Sequence, residues 1–265
     1  MITDDHAHLD HEWLLQDYKD ISSYLEAQKK AGVKYIIANS LDRESSENTL
    51  AMHASFSYVL PAIGLYPVDE RQRDKADDHD LEFNPNYSHI DEDVRWIKGM
   101  ASKCAAIGEV GLDHANPKTH KEAQQHVFTK MIDIALAKNK PLIVHSRKAE
   151  AEVLKILDEK KAKKVVLHCF TGSKSLINEA IRRGYNFSIP TSLVRTQQFQ
   201  MMVDMVDMSR ILTETDAPFM SPYRDGKPNE SRFIEESLKV IAKIKGMDVD
   251  EVAKVIFQNF QRLYL

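Results

Sequence analysis

Three histidines stand within the six residues "HAHLDH", at positions 6 to 11. His6 and His8 are two positions apart, and on a β-strand residues at this spacing point to the same side. Both imidazoles could therefore hold one metal ion. Taken alone, the pair is equally compatible with a solvated loop, so the rest of the sequence must separate the two interpretations.

Further histidines and carboxylates stand where other short apolar runs end. These residues are Glu109 in "GEVGLDH", His145 in "PLIVHSR", His168 in "VVLHCF" and Asp216 in "LTETDAP". Histidine nitrogens combined with carboxylate oxygens suit Zn, Mn, Fe or Ni, and tolerate Mg with added waters. Together with the first pair they exceed what one open catalytic site needs. Two ions that share a bridging carboxylate, roughly 3.5–4 Å apart, would use the whole set.

Eight short β-rich runs alternate with helical patterns along the chain. The predicted strands are Ile2–Asp5, Lys34–Ala38, Tyr58–Ala62, Ala105–Val110, Pro141–His145, Lys164–His168, Tyr185–Ile189 and Arg210–Glu214. The helical patterns include Leu14–Lys30, His120–Lys138, Ala149–Lys160, Leu176–Arg182 and Ser231–Lys245. This alternation predicts an α/β fold, a (β/α)8 TIM-type barrel with its site at the carboxyl ends of the strands. An open doubly wound sheet is the alternative, but no glycine-rich phosphate fingerprint supports it.

The length and composition favour one domain over residues 1–265. The chain has 265 residues and 43% hydrophobic content, with no internal repeat or linker. Its longest irregular stretch, Tyr66–Ser88, is polar. We expect a solvated loop there, on the face of the barrel that carries the site, where it could form a rim or lid.

The charge and the cysteine content limit the possible partners and compartment. A net charge of −4 gives no global basic field, so any binding to nucleic acid must be local. Two cysteines, Cys104 and Cys169, provide no disulfide framework and suit a reducing cytoplasm. There is no signal-peptide pattern and no apolar run long enough to cross a membrane. Nothing in the sequence indicates an obligate protein partner.

The motifs together resemble the TatD family of metal-dependent hydrolases and deoxyribonucleases, in the amidohydrolase-like superfamily. The matching segments, in the family's order, are "DDHAHLD", "GEVGLDH", "PLIVHSR", "LHCFTGS", "ETDAPFMSP" and "KPNES". The resemblance implies a TIM-type barrel with one or two divalent ions, such as Zn, Mg or Mn. It implies that one ion is held by His6, His8, Glu109 and Asp216. It also implies that Glu109 bridges to a second ion, held with His145 and His168.

One segment departs from the family. Where the family usually reads "GxHPH", this sequence has "GLYPVD", with Tyr66 and Val68 in place of histidines. These positions are not core ligands in the family, so the departure affects the handling of the substrate, and of a phosphate in particular.

Basic and aromatic residues after the strand ends are candidates for contacting the substrate. Arg147, Lys148, Lys174, Arg195, Arg224 and Lys227 would lie on the face of the site, whereas the run at 160–164 precedes a strand and belongs on the opposite face. Ser173 begins a helix, where it could bind an anion or simply cap the helix. Aromatic side chains could stack on bases or pack in the core: Tyr66, Phe170, Phe219 and Tyr223. The leading candidates for binding the substrate are Arg147, Ser173, Tyr66 and Arg224.

The remaining histidines are expected to be structural or exposed. His53, His79, His89, His120 and His126 fall in helices or polar loops, whereas the roles of His11 and His114, near the mouth, stay open.

The function expected from the resemblance is hydrolysis of DNA phosphodiesters by a metal-activated water, as an exonuclease. Asp216 would take the proton of the water, with a role as metal ligand alone as the alternative, and Glu109 is the second catalytic candidate. An amide, ester or lactone hydrolase on the same centre is the alternative. A metal-holding barrel that only binds a partner is a third interpretation, which the full ligand set argues against.

Overall fold

Eight parallel strands form one sheet in the order of the chain. The structure, a computed structural model, describes residues 1–68, 89–116 and 119–265. The strands are β1 Ile2–Ala7, β2 Val33–Asn39, β3 Val59–Ile63, β4 Ala106–Gly111, β5 Leu142–His145, β6 Val165–His168, β7 Asn186–Pro190 and β8 Ile211–Glu214. Each overlaps a predicted strand. They form because short runs rich in Val, Ile and Leu can be buried on both faces of a parallel sheet.

The sheet closes between β8 and β1, which makes it a (β/α)8 barrel. The backbone N–H of Asp216 donates to the carbonyl of His6 at 2.9 Å, and that of His8 to the carbonyl of Ala217 at 2.8 Å. The Thr213 hydroxyl donates to the carbonyl of Thr3 at 3.0 Å. A doubly wound sheet has two free edges, so the alternative topology is wrong.

A helix follows every strand in the described residues. The helices are α1 Ile21–Lys30, α2 Arg43–Ser55, α3 Ile90–Met100, α4 Lys121–Lys138, α5 Glu150–Glu159, α6 Lys174–Arg182, α7 Gln197–Met205, α8 Ile234–Lys245 and α9 Val249–Tyr264. The predicted helix Leu14–Lys30 is wrong in its first half. There a 3₁₀ turn spans Glu12–Leu15, and α1 begins only where Asp20 and Ser23 form a reciprocal cap. The predicted helix Ser231–Lys245 likewise opens with a 3₁₀ turn, Ser231–Phe233.

Alternation along the strands divides the apolar side chains between two cores. On β5, Leu142 and Val144 pack outward against the helices, whereas Ile143 points into the barrel. Phe260 of α9 belongs to the inner core, and Asn259 beside it donates to the carbonyl of Ile211 at the start of β8. Helix α9 therefore covers the amino ends of the strands and leaves their carboxyl ends to the site.

Two expectations from the sequence concern regions away from the barrel core. Most of the predicted rim or lid, residues 69–88, lies outside the described residues. The lysine run at 160–164 leads into the amino end of β6, as expected, and Lys160 pairs with Asp133 at 2.7 Å. In the described parts of the chain, no helix is long and apolar enough to cross a membrane.

Candidate metal centre

The end of β1 presents both of its histidines to the same point. His6 is fully buried and His8 nearly so, and their Nε2 atoms lie 3.3 Å apart. Asp4, on the same strand, fixes this end to the neighbouring strand. Its carboxylate accepts hydrogen bonds from the N–H and the hydroxyl of Thr215 and from the hydroxyl of Ser231, at 2.6–2.9 Å. Burial raises the pKa of Asp4 to about 7 against the effect of these donors.

Two carboxylates complete a first group of donors around the His6 and His8 nitrogens. Glu109 Oε2 lies 3.2 Å from His6 Nε2 and 3.6 Å from His8 Nε2. Asp216 Oδ1 lies 3.7 and 3.4 Å from the same two atoms. His6, His8 and Asp216 are close enough together to share a metal ion.

The other oxygen of Glu109 faces a second group. Glu109 Oε1 lies 2.9 Å from His145 Nδ1 and 3.8 Å from His168 Nε2. These three residues also satisfy the spacing of a metal site. The carboxylate of Glu109 is 2% exposed and stands between the two groups with one oxygen toward each. This is the placement a bridging ligand requires.

Both histidines of the second group are oriented by carboxylates that were not among the ligands predicted from the sequence. His168 Nδ1 lies 2.9 Å from Glu214 Oε2, and His145 Nε2 lies 3.2 Å from Asp113 Oδ2. Outer carboxylates of this kind fix the tautomer and the ring orientation of metal-binding histidines. Glu214 could have been found from "ETD", because it precedes Asp216 by two positions and follows the same alternation that paired His6 with His8.

The charges of the clustered side chains are compatible with a bound divalent cation. Burial, reinforced by the charge of His168, lowers the pKa of His6 to about 4, so this imidazole keeps a lone pair at neutral pH. Burial alone would raise the pKa of Glu109, but the neighbouring histidines hold it well below its usual range. Burial acts to lower the pKa of His168, yet Glu214 raises it to about 10, so without a metal this ring carries a proton that an ion bound at Nε2 would displace. The side chains thus combine ionised carboxylates with nitrogens that face one another, a donor set suited to a divalent ion.

A cavity of about 730 Å³ opens over this centre. It is lined by His8, Tyr66, Glu109, His145, Ser146, Arg147, Lys148, Glu150, His168, Cys169, Thr171, Asp216, Phe219 and Met220. The volume lies within the range of small-molecule sites. Substrate could therefore reach the cluster from the carboxyl ends of the strands.

The predicted substrate residues divide between the cavity and its surroundings. Tyr66 and Arg147 line the cavity: the Tyr66 hydroxyl lies 3.3 Å from His145 Nε2, and Arg147 stands 4.0 Å from Asp113. Ser173 and Arg224 are not among the lining residues. The Ser173 hydroxyl instead meets that of Ser175 at the start of α6.

Several of the other aromatic and histidine residues singled out in the sequence have structural contacts. Phe170 is fully buried against Phe187, which confirms core packing over stacking on a base. His11 caps the 3₁₀ turn by accepting from the N–H of Trp13 and packs against Phe219. His53 Nδ1 lies 2.7 Å from the Val59 carbonyl, and His114 lies 3.7 Å from Glu152. His79 falls outside the described residues.

A (β/α)8 barrel that gathers histidines and carboxylates at the carboxyl ends of its strands defines a metal-dependent hydrolase of the barrel class. The family model described as "TatD related DNase" matches residues 3–265. The chain belongs to the TatD family.

Relatives that match over nearly their whole length are named as a metal-dependent hydrolase and a deoxyribonuclease. The uncharacterized metal-dependent hydrolase YabD of Bacillus subtilis is 31% identical, over 100% of this chain and 99% of its own. The human deoxyribonuclease TATDN3 is 33% identical, over 99% of this chain and 94% of its own. The crystal structure of the TatD homolog YjjV from Escherichia coli superposes with a TM-score of 0.85 at 23% identity, covering 99% of this chain and 97% of the other. The last comparison supports the fold.

Proposed function

We propose that this hydrolase cleaves phosphodiester bonds of DNA, as an exonuclease. The observation that carries the proposal is the position of Glu109, whose two oxygens face two separate groups of ligands beneath one open cavity. Paired metal sites are common in enzymes that displace an oxygen at phosphorus. The name of the human relative, a deoxyribonuclease, supports the same substrate class.

The six side chains divide into two proposed metal sites. His6, His8, Glu109 and Asp216 would hold one ion, and Glu109, His145 and His168 the other. Nitrogen and oxygen donors suit Zn and Mn and can accept Mg. Divalent ions in such a centre acidify water and polarise phosphoryl oxygens.

Asp216 is the proposed proton acceptor. Its Oδ1 faces the histidines, and its side chain also lines the cavity. Burial would raise the pKa of Asp216, but the hydrogen bond from His8 and the nearby positive charge hold it below the usual value. The carboxylate is therefore ionised at neutral pH, so Oδ2 can accept a proton from water and pass it to the leaving oxygen.

Substrate binding is assigned to the cavity wall. Arg147 is about half exposed and carries a fixed positive charge at the cavity. Arg147 could pair with a phosphate next to the scissile bond. Tyr66 could contact the part of the substrate that lies beside His145. The burial of Glu109 beneath one opening favours a substrate end over a continuous duplex. Ser173 and Arg224, which lie off the cavity lining, could contact only more distant nucleotides.

The alternative is an amide, ester or lactone hydrolase on the same centre. Tyr66 favours it, because a phenol occupies a position where the family usually places a histidine. Only two arginine or lysine side chains, Arg147 and Lys148, line the described cavity. An amide, ester or lactone carries no phosphate, so it would need no further basic side chains in the cavity.

Hydrolysis by metal-stripped protein, reloaded with Mg, Mn or Zn, tests both functions. The substrates are end-labelled single- and double-stranded DNA, a carboxylic ester and a lactone, with the double variant His6→Ala/His8→Ala as control. Metal-dependent shortening of DNA that the variant loses would support the nuclease. Turnover of ester or lactone with intact DNA would overturn it in favour of the alternative.

A further inference from the structure

An aromatic wall leads from the metal centre to the rim of the cavity. Phe219 lines the cavity, with its ring 6.4 Å from that of His8. The rings of His11 and Trp13 pack against Phe219 from outside, at 5.1 and 6.1 Å. The wall thus consists of Phe219, which follows β8, and of His11 and Trp13, which follow β1.

Trp13 is exposed although its position is firmly set. Its side chain is one of four large apolar side chains exposed among the described residues, at 37%. Its backbone N–H donates to His11, its indole N–H donates to Gln16 at 2.9 Å, and the next residue, Leu14, is fully buried. The fold therefore presents an indole to solvent in a fixed orientation beside the cavity. Tryptophan is enriched where proteins bind other molecules, because its ring offers a large flat apolar face and its N–H a polar edge.

The opposite side of the cavity carries two cations and one carboxylate, Glu150, which accepts a hydrogen bond from Thr171. Arg147 and Lys148 follow β5, which lies across the barrel from β1 and β8 in the order of the sheet. A ligand that spans the cavity would meet positive charge on one side, rings on the other and the buried carboxylate of Glu109 below. A nucleotide has this division of properties, with its phosphates on one edge and a flat base on another.

We propose that Trp13 and Phe219 form a stacking surface for the base next to the scissile phosphodiester. This assignment rests on the proposed phosphodiesterase function and makes it more specific. A base that is paired and stacked within a duplex cannot also lie against Trp13. The substrate is therefore a nucleic-acid end whose last base is unpaired, and the aromatic wall is what selects it.

The test compares oligonucleotides that differ only in one base. Single-stranded DNA is offered with a normal or an abasic nucleotide at the end from which shortening proceeds, and kcat/KM is measured for the metal-loaded wild type, Trp13→Ala and Trp13→Phe. Wild type should prefer the normal end by about 10-fold or more, the scale at which a base–aromatic stack contributes. Trp13→Ala should lose that preference while cleaving the abasic end at the wild-type rate. Trp13→Phe should recover part of it.

A binding signal provides a second readout. The chain contains two tryptophans. The second, Trp96 on α3, packs against Arg43 of α2 and is not among the residues that line the cavity. The variant Trp96→Phe, expected to keep full activity, leaves Trp13 as the only indole. Its fluorescence should be quenched by an oligonucleotide with hydrolysis-resistant phosphorothioate ends, and much less by the abasic counterpart.

Two results would overturn the stacking surface. One is equal cleavage of normal and abasic ends by wild type. The other is a loss of equal size on both substrates in Trp13→Ala, which would indicate a general structural role. A wild type that shortens neither DNA with any metal would instead refute the phosphodiesterase itself, and the nucleotide assignment with it. That result is visible without any variant.

Discussion

His168 and Glu214 form a buried pair at the back of the metal centre, with Nδ1 of the histidine 2.9 Å from a carboxylate oxygen. The second oxygen of Glu214 accepts from the backbone N–H of Cys169 at 3.0 Å, so the carboxylate cannot rotate freely. The pair leaves Nε2 of His168 directed at Glu109 and Asp216. A residue outside the proposed ligand set thereby decides which nitrogen of His168 is offered to a metal.

Replacing Glu214 should weaken the second metal site. In Glu214→Gln the amide no longer provides a charged acceptor for His168, and losses of about 10- to 100-fold in metal affinity are typical for such outer partners. Metal titration followed by calorimetry measures the effect. Glu150→Gln, which removes a charge at the cavity edge but keeps an oxygen to accept from Thr171, is the matched control. Equal affinity in Glu214→Gln and wild type would contradict the role assigned to Glu214.

The number of bound ions should respond differently to two ligand substitutions. His145→Ala removes a donor from the second group alone, so the purified protein should lose about one equivalent of metal while the first group stays filled. Glu109→Ala removes a donor from both groups and should weaken both. Metal content by mass spectrometry distinguishes these cases, with His114→Ala as a histidine control outside the clusters. Loss of a single equivalent in Glu109→Ala would argue against a bridge.

Turnover should depend on the charge of Asp216. The variant Asp216→Asn keeps an oxygen for the metal but cannot accept a proton, so kcat should fall by at least about 100-fold. The substrate is the one identified by the reloading experiment, and metal content is measured in the same preparation. A variant with full metal content and a rate near wild type would remove Asp216 from the role of base.

The backbone at Gly111 should tolerate no side chain. Its φ is +147°, and a Cβ there would lie 2.0 Å from the carbonyl oxygen of His145. Gly111→Ala should therefore lower the free energy of unfolding by at least about 2 kcal/mol, since such backbone strain alone costs of order 1–3 kcal/mol. Gly99→Ala is the control: its Cβ meets nothing within 4 Å on α3, and helix propensity favours it by up to about 1 kcal/mol. Urea denaturation compares the two, and similar stabilities would be the contrary result.

Metal removal should destabilise the barrel. An ion that binds only the folded state at 100 times its Kd adds about 2.7 kcal/mol, which corresponds to a rise in Tm of about 5–10 °C for a chain of this size. Thermal unfolding with chelator and then with added metal should show this difference. The variant His6→Ala/His8→Ala should show little of it. An unchanged Tm in wild type would mean that the centre binds no ion tightly.

The sequence predicted those parts of the fold and the site that follow from periodicity. Alternation on β1 paired His6 with His8, and the eight apolar runs placed them at one end of a barrel, where the structure brings them beside Glu109 and Asp216. The start of α1 was missed because Leu14 continues an apolar spacing, whereas the reciprocal cap of Asp20 and Ser23 decides where the helix begins.

Tertiary contacts, in contrast, could not be predicted. Asp113 looked like one more charged residue after β4, and only the folded chain brings it within 3.2 Å of His145. Trp13 gave no signal at all, because its significance comes from packing against Phe219 more than two hundred positions away.

The pairing of β1 with β8 determines when the metal centre can form during translation. Thr3 and Thr213, which bond between these strands, are 210 positions apart, and the proposed ligands His8 and Asp216 follow β1 and β8. A nascent chain exposes the first histidines long before the last carboxylate has been polymerised. The complete set of proposed ligands can therefore form only after β8 has emerged and paired with β1. Binding of a metal by the full set would then follow closure of the barrel and stabilise it.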